Sequence, residues 1–244
     1  MGHEYIEMKN THAAIESYRR AVDVNRKDYR AWYGLGQAYE VLDMAFYALF
    51  YYQRAAALRP YDPKMWQAVG SCYAKMDRVE QSIRALKRAL VAGSYYDVSG
   101  SFDSGGAAKF PTNQGLPRRI LDPETLHQIA TLYERLGEDE EAAAYMELTL
   151  QQETGQMFHD DNDAEDERRT SSFTHQTNDM DDEPMGTGVT ATTSKARLWL
   201  ARWALRHGDL ERADQLAGEL CQDGIEVEEA KALMRDVRAR RGEM

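Results

Sequence analysis

Cysteine and proline are scarce in this sequence, and long apolar runs are absent. Two cysteines in 244 residues, Cys72 and Cys221, cannot frame a disulfide scaffold and have no metal-ligand spacing, a usage typical of a reducing compartment. None of the six prolines follows Ser or Thr, so the dipeptide that proline-directed kinases require is missing. No apolar run approaches 18 residues, which excludes a membrane-spanning helix. The first residues carry no basic stretch followed by an apolar one, so no export signal is expected there. Thirty basic against 41 acidic side chains give a net charge of −11, which disfavours a general nucleic-acid binder.

That charge is concentrated. Between Met157 and Thr193 ten acids, from Asp160 to Glu183, face only Arg168 and Arg169, so this segment carries −8 of the −11. It is also poor in aliphatic side chains and cannot bury enough surface to offset its ordering entropy. An acidic disordered insertion is expected over 157–193.

What the sequence does have is a period. Trp32 and Trp66 are 34 residues apart, as are Gly36 and Gly70, Tyr39 and Tyr73, and Ala55 and Ala89. A 34-residue period with aromatic, glycine and alanine at these offsets is that of the tetratricopeptide repeat (TPR), a helix–turn–helix unit. Numbered from Tyr29, one repeat has Trp32 at position 4, Gly36 at 8, Tyr39 at 11, Ala48 at 20, Tyr52 at 24, Ala55 at 27 and Pro60 at 32. The next starts at Pro63. Small residues at 8, 20 and 27 let two helices approach, and the aromatics fill the space between them. No single pair can hide its apolar face, so neighbours must stack.

The expected fold is therefore all-α, a right-handed TPR superhelix with two long inserted loops. Its parts are a truncated repeat over 1–28, repeats over 29–62 and 63–96, and a Gly- and Ser-rich loop over 97–122. A weaker repeat over 123–156, the acidic insertion over 157–193, a repeat over 194–227 and a capping helix over 228–244 complete it. Because Met1 falls at position 7 of its repeat, the first unit reads as cut, and Tyr5, Ala14 and Tyr18 are expected to be partly uncovered. Asp62-Pro63 and Asp122-Pro123 read as helix starts, and Asp77 to Glu80 as a capping box. Glu138 to Glu141 are expected to open a helix, where carboxylates meet the positive end of the dipole.

Three runs stand out, Gly2 to Asn10, Asp28 to Glu40, and Phe46 to Pro60, and within them Gly2 to Tyr5 and Tyr29 to Gln37 exceed what the generic repeat demands. With them the chain resembles the C-terminal repeats of the subunit 8 family of the anaphase-promoting complex (cyclosome), cell-division-cycle repeat proteins. The likeness is close over 1–90 and fainter over 120–152 and 195–240. It implies a non-catalytic scaffold, without cofactor, inside a nuclear and cytoplasmic ubiquitin ligase that marks mitotic regulators. The implied partners are the other TPR subunits of that complex and the N-terminal box of its WD40-type co-activator. Homodimerisation in that family uses N-terminal repeats that this chain does not contain. No nucleic-acid or membrane partner is implied.

In this repeat type, positions 2, 5, 9, 12 and 13 of each first helix line the inner wall. They give His3, Ile6 and Glu7, then Arg30, Tyr33, Gln37, Glu40 and Val41, then Lys64, Gln67, Ser71, Ala74 and Lys75. The fourth repeat gives Glu124, His127, Thr131, Glu134 and Arg135. An aromatic with amides and carboxylates suits an extended peptide presenting arginine and an apolar anchor. Glu7 and Glu40 are expected to meet the basic side chain while Tyr33 packs beside it.

Other signals resolve into structure. Gly34-Leu-Gly36 lacks the third glycine and the preceding strand of a dinucleotide loop. The six histidines form no close pair or HExxH. Trp199 and Trp203, four apart on one helical face, are expected in the core. An adaptor of the co-chaperone kind would need a carboxylate clamp of Lys and Asn at positions 5 and 9. Those positions hold Tyr33, Gln67 and His127, and Gln37, Ser71 and Thr131. No stretch between repeats suits an active site, so no enzymatic activity is expected.

Overall fold

A computed structural model gives the structure of residues 2–8, 10–99, 121–154 and 186–242, without the side chains of 3, 6, 7 and 94–99. Among the described residues all regular structure is helical: α1 Gly2–Glu7, α2 Thr11–Val24, α3 Tyr29–Val41, α4 Ala45–Leu58, α5 Pro63–Lys75 and α6 Val79–Ser99. After these come α7 Pro123–Leu136, α8 Asp139–Thr154, α9 Ala191–His207, α10 Leu210–Asp223 and α11 Val227–Gly242. The helices form two compact units, one of Met1–Thr112 with Glu124–Tyr145, the other of Asn113–Pro123 with Met146–Met244.

In the first unit α3 opens at Tyr29 and α5 at Pro63, 34 residues apart, and each is capped by an aspartate. Asp28 accepts from the Arg30 amide and Asp62 from the Lys64 amide, both at 3.0 Å, with Pro63 in the first turn where no amide hydrogen is needed. The two tryptophans repeat the same bond as well as the same spacing. Trp32 Nε1 donates to the Arg26 carbonyl at 2.9 Å, and Trp66 Nε1 to the Pro60 carbonyl at 2.8 Å.

Position 8 is where the helices touch. A Cβ on Gly36 would lie 2.4 Å from the Tyr52 ring, and one on Gly70 2.8 Å from Leu86. In each case the glycine at position 8 meets the large side chain at position 24 of its own repeat. Gly34 approaches the Tyr18 ring of the preceding repeat just as closely. That close fit overturns the expected exposure of Ala14 and Tyr18 near the start of the chain, though not that of Tyr5. Tyr18, held between Gly2 and Gly34, is only 7% exposed and Ala14 is fully buried, while Tyr5 is half-buried. Around them one core joins Leu35, Ala38, Tyr39, Ala48, Tyr52, Ala55, Met65, Val69 and Cys72. A second gathers Ile83, Leu86, Ile129 and Leu132.

The turns inside the repeats also recur. Asp43, Asp77, Gly137 and Gly208 take φ of 56°, 59°, 77° and 83°. Each stands at position 15 of its repeat when counting starts at Tyr29, Pro63, Pro123 and Ser194. Aspartate is one of the few side chains that enters this left-handed region at modest cost. The capping box expected from Asp77 to Glu80 is therefore not formed. Asp77 is the turn residue, and its carboxylate accepts from Arg135 at 2.7 Å.

The second unit is built on Ala196, Leu200, Ala201 and Ala204 of α9, Ala213, Leu216 and Leu220 of α10, and Ala230, Leu233 and Val237 of α11, all buried. Arg197, its side chain 8% exposed, bonds the carboxylates of Glu153 and Asp223 and lies 3.3 Å from that of Glu219. Gln152 ties down two chain segments. Its side-chain oxygen accepts from the Leu121 amide at 2.8 Å, and its carbonyl accepts from the Thr187 amide at 2.8 Å. From α11, Arg240 donates to the Leu205 carbonyl at 2.7 Å, near the negative end of α9.

Several boundaries differ from those read in the sequence. α6 continues to Ser99, beyond the expected break at 97. α9 starts at Ala191 because Thr190 and Thr193 form a reciprocal capping box, three residues before the register counted from Ser194. Asp139, Glu140 and Glu141 do occupy the first turn of α8. Trp199 and Trp203 are half-buried rather than interior. Residues 100–120 of the expected loop, and residues 157–185 of the acidic stretch, lie outside the described residues.

Candidate functional site

Within the first unit, α3, α5 and α7 turn one face each toward a cavity of about 350 Å³. Tyr33, Gln37 and Glu40 come from α3, Lys64, Gln67, Ala68 and Ser71 from α5, and Glu124, Thr125 and Gln128 from α7, with Tyr52 of α4 closing the floor. Seven of the expected wall residues thus meet: Tyr33, Gln37, Glu40, Lys64, Gln67, Ser71 and Glu124. The helical spacing explains it, since positions 2, 5, 9 and 12 fall on one stripe.

The remaining expectations separate. Arg30 is exposed outside the cavity, its Nε 3.3 Å from the Tyr29 hydroxyl. Lys75 stands beside the cavity and donates to Glu40 at 2.8 Å. Arg135 is drawn away by Asp77, and Ala74 packs beside the second core. On α7 the cavity meets the expected Glu124, with Thr125 and Gln128 in place of His127 and Thr131, because it sees the edge of α7 that faces α5. Gln67 Nε2 fixes that edge by donating to Thr125 Oγ1 at 2.8 Å. The side chains of His3, Ile6 and Glu7 lie outside the described residues.

Glu40 differs most from its expected role. Its carboxylate accepts from the Tyr52 hydroxyl at 2.6 Å and from Lys75, so its charge is already compensated inside the protein. A basic peptide residue would have to displace Lys75 to reach it. Sequence spacing could not show this, because Tyr52 and Lys75 stand on two other helices.

The electrostatics follow from burial. Desolvation, with the adjacent Glu40 carboxylate adding to it, raises the Tyr33 phenol above 10.0, the Tyr52 phenol well above it, and the Cys72 thiol from 9.0 to about 12. The hydrogen bond to Glu40 raises Lys75. The cavity therefore presents neutral phenols at ordinary pH. The rings of Tyr33 and Tyr52 stand 5.2 Å apart. Gln37 Oε1 is buried and accepts no bond from the described residues. What lines the cavity is mostly amide and hydroxyl, a set that pairs with peptide backbone rather than performing group transfer. Among the described residues no three His, Cys, Asp or Glu side chains gather as a metal site would need.

A TPR repeat family model matches residues 2–42, and a tetratricopeptide repeat model matches 123–151. No curated protein matches the sequence. Among solved structures, the crystal structure of MamA is similar with a TM-score of 0.55 and 12% identity, over 100% of this chain and 95% of that one. YrrB, described as a TPR protein with an unusual peptide-binding site, has a TM-score of 0.56 and 13% identity over 94% of this chain and 86% of that one. A putative kinesin light chain of Podosopora anserina with nearly identical TPR-like repeats has a TM-score of 0.52 and 12% identity, over 95% and 90%. At these identities the likeness is one of fold. The two repeat models, the recurring glycine and tryptophan contacts and these folds together give this chain a tetratricopeptide-repeat fold.

Proposed function

We propose that this chain is a non-catalytic scaffold whose α3–α5–α7 cavity holds a segment of an extended partner peptide. The observation that carries this reading is the lining itself: three successive first helices bring Gln37, Gln67, Ser71, Thr125 and Gln128 to one cavity, beside Lys64, Glu124 and a Glu40 that is already paired. Such a wall recognises backbone amides and neutral polar side chains. Gln37 Oε1 would gain the partner it lacks by turning toward an N–H in the cavity. The similar fold of YrrB, described as having a peptide-binding site, supports the reading.

The assembly served is, in this proposal, a cell-cycle ubiquitin ligase of the anaphase-promoting type. Its TPR subunits and WD40-type co-activator are the partners, in nucleus and cytoplasm. Support comes from the runs Gly2 to Asn10, Asp28 to Glu40 and Phe46 to Pro60. Affinity purification from cell extract with mass spectrometry tests it. Ligase subunits should be recovered with the wild type and lost with Ser71→Phe, which fills the cavity. Recovery of chaperones in their place would overturn the assembly. Equal recovery by both proteins would remove the cavity from the function.

A further inference from the structure

We propose that a second cleft, on the opposite face of α5, docks an acidic peptide that carries an apolar anchor side chain. This cleft, about 650 Å³, lies between α4, α5 and α6. Its floor is apolar, made by Ala56, Pro60, Val69 and the face of Trp66. The charged side chains that line it are both cations, Arg84 and Arg88, in a chain whose net charge is −11. A cleft of one sign with an apolar floor selects a partner of the opposite sign with a side chain to bury.

Arg88 is prepared for that role. Its guanidinium stands 4.1 Å from the centre of the Trp66 ring. Stacking uses the flat face of the guanidinium and leaves its N–H edges for a carboxylate fork. The indole beneath is fixed by its own bond to the Pro60 carbonyl, so the pair is ordered before any ligand arrives. Arg84 pairs with Glu80 one turn earlier, but both side chains are about three-quarters exposed, at 75% and 72%, and such a pair is readily exchanged for a ligand carboxylate. An aliphatic or phenyl side chain of the peptide enters over Val69 while acids on either side meet the two arginines.

The cleft and the α3–α5–α7 cavity use different faces of one helix. Trp66, Val69 and Tyr73 point to the cleft, and Lys64, Gln67 and Ser71 to the cavity. Two partners can therefore be held at once.

The test is fluorescence anisotropy of the full chain with a labelled synthetic peptide of aspartates flanking a Leu-Phe pair. Controls are the same peptide with asparagine for aspartate, the same with alanine for Leu-Phe, and a single-stranded oligonucleotide of equal length. Saturable binding of the first peptide is expected, at least tenfold weaker for either control peptide and at least tenfold weaker to Arg88→Glu. Arg88→Lys, which keeps the charge and loses the fork, should fall between, and secures the comparison should the glutamate variant fold poorly. Ser71→Phe should bind as the wild type does, which separates this cleft from the cavity. No saturable binding, equal binding by the Arg88 variants, or preference for the oligonucleotide would overturn the proposal.

Discussion

The Tyr52 hydroxyl donates to the Glu40 carboxylate at 2.6 Å, from a ring that is 1% exposed. One bond thus joins α3 to α4 in the same repeat, and Lys75 extends it to the next repeat. A hydrogen bond to a charged acceptor contributes about 1.5–3 kcal/mol. Tyr52→Phe is expected to lower stability by about that amount, and Glu40→Gln by less, since an amide oxygen still accepts. Urea denaturation of the three proteins checks the order. Equal midpoints would show that the bond adds nothing.

Gly36 and Gly218 should respond to alanine with opposite signs. A Cβ at Gly36 would stand 2.4 Å from a Tyr52 ring that has nowhere to go, a cost of about 1–3 kcal/mol. Gly218, inside α10, has nothing within 4 Å of that position, so alanine should gain up to about 1 kcal/mol of helix propensity. Thermal melts of Gly36→Ala and Gly218→Ala should move down and up respectively.

Arg197 is expected to be the costliest single side chain of the second unit to remove. Arg197→Ala leaves Glu153, 10% exposed, and Asp223 without their cation, a loss of about 3–5 kcal/mol. Arg197→Lys should lose less, since it can still satisfy one carboxylate. Denaturant titration monitored at Trp199 and Trp203 reads the effect where it arises. A loss under about 1 kcal/mol in the alanine variant would contradict it.

Alkaline pH should weaken the first unit. Tyr33, Tyr52, Cys72 and Lys75 all have folded values raised above their unfolded ones, so the folded chain keeps protons that the unfolded chain releases. Their contribution is complete below about pH 9 and is lost as pH rises, first through the window of Cys72, between 9.0 and about 12, then above about 10 for the phenols and the amine. Urea midpoints should hold level from neutrality to about pH 9 and fall beyond it. Cys72→Ala should make the early part of that fall shallower. A level profile to about pH 11 would refute the assignment.

Much of the fold is written locally. Trp32 and Trp66, Gly36 and Gly70, and the aspartates before Arg30 and Lys64 act through helix spacing and caps, which a linear pattern expresses directly. The left-handed turn at Asp43 and Asp77 was hidden because aspartate also caps helices, and only backbone geometry separates the two uses. The cavity was partly visible: seven of its residues follow from the stripe on α3, α5 and α7. Thr125, Gln128 and Tyr52 depend on which edges of α7 and α4 turn inward.

The sequence by itself determined that the chain is a series of helix pairs, because glycine at position 8 and a bulky side chain at position 24 allow those helices no other close packing. Tertiary structure alone decided which charges are spent. Glu40 is claimed by Tyr52 and Lys75, Arg197 by Glu153 and Asp223, and Arg88 lies stacked on Trp66 with its edges free. Such pairings join side chains far apart in the chain. Their worth depends on distance and burial, quantities that exist only once the helices have stacked.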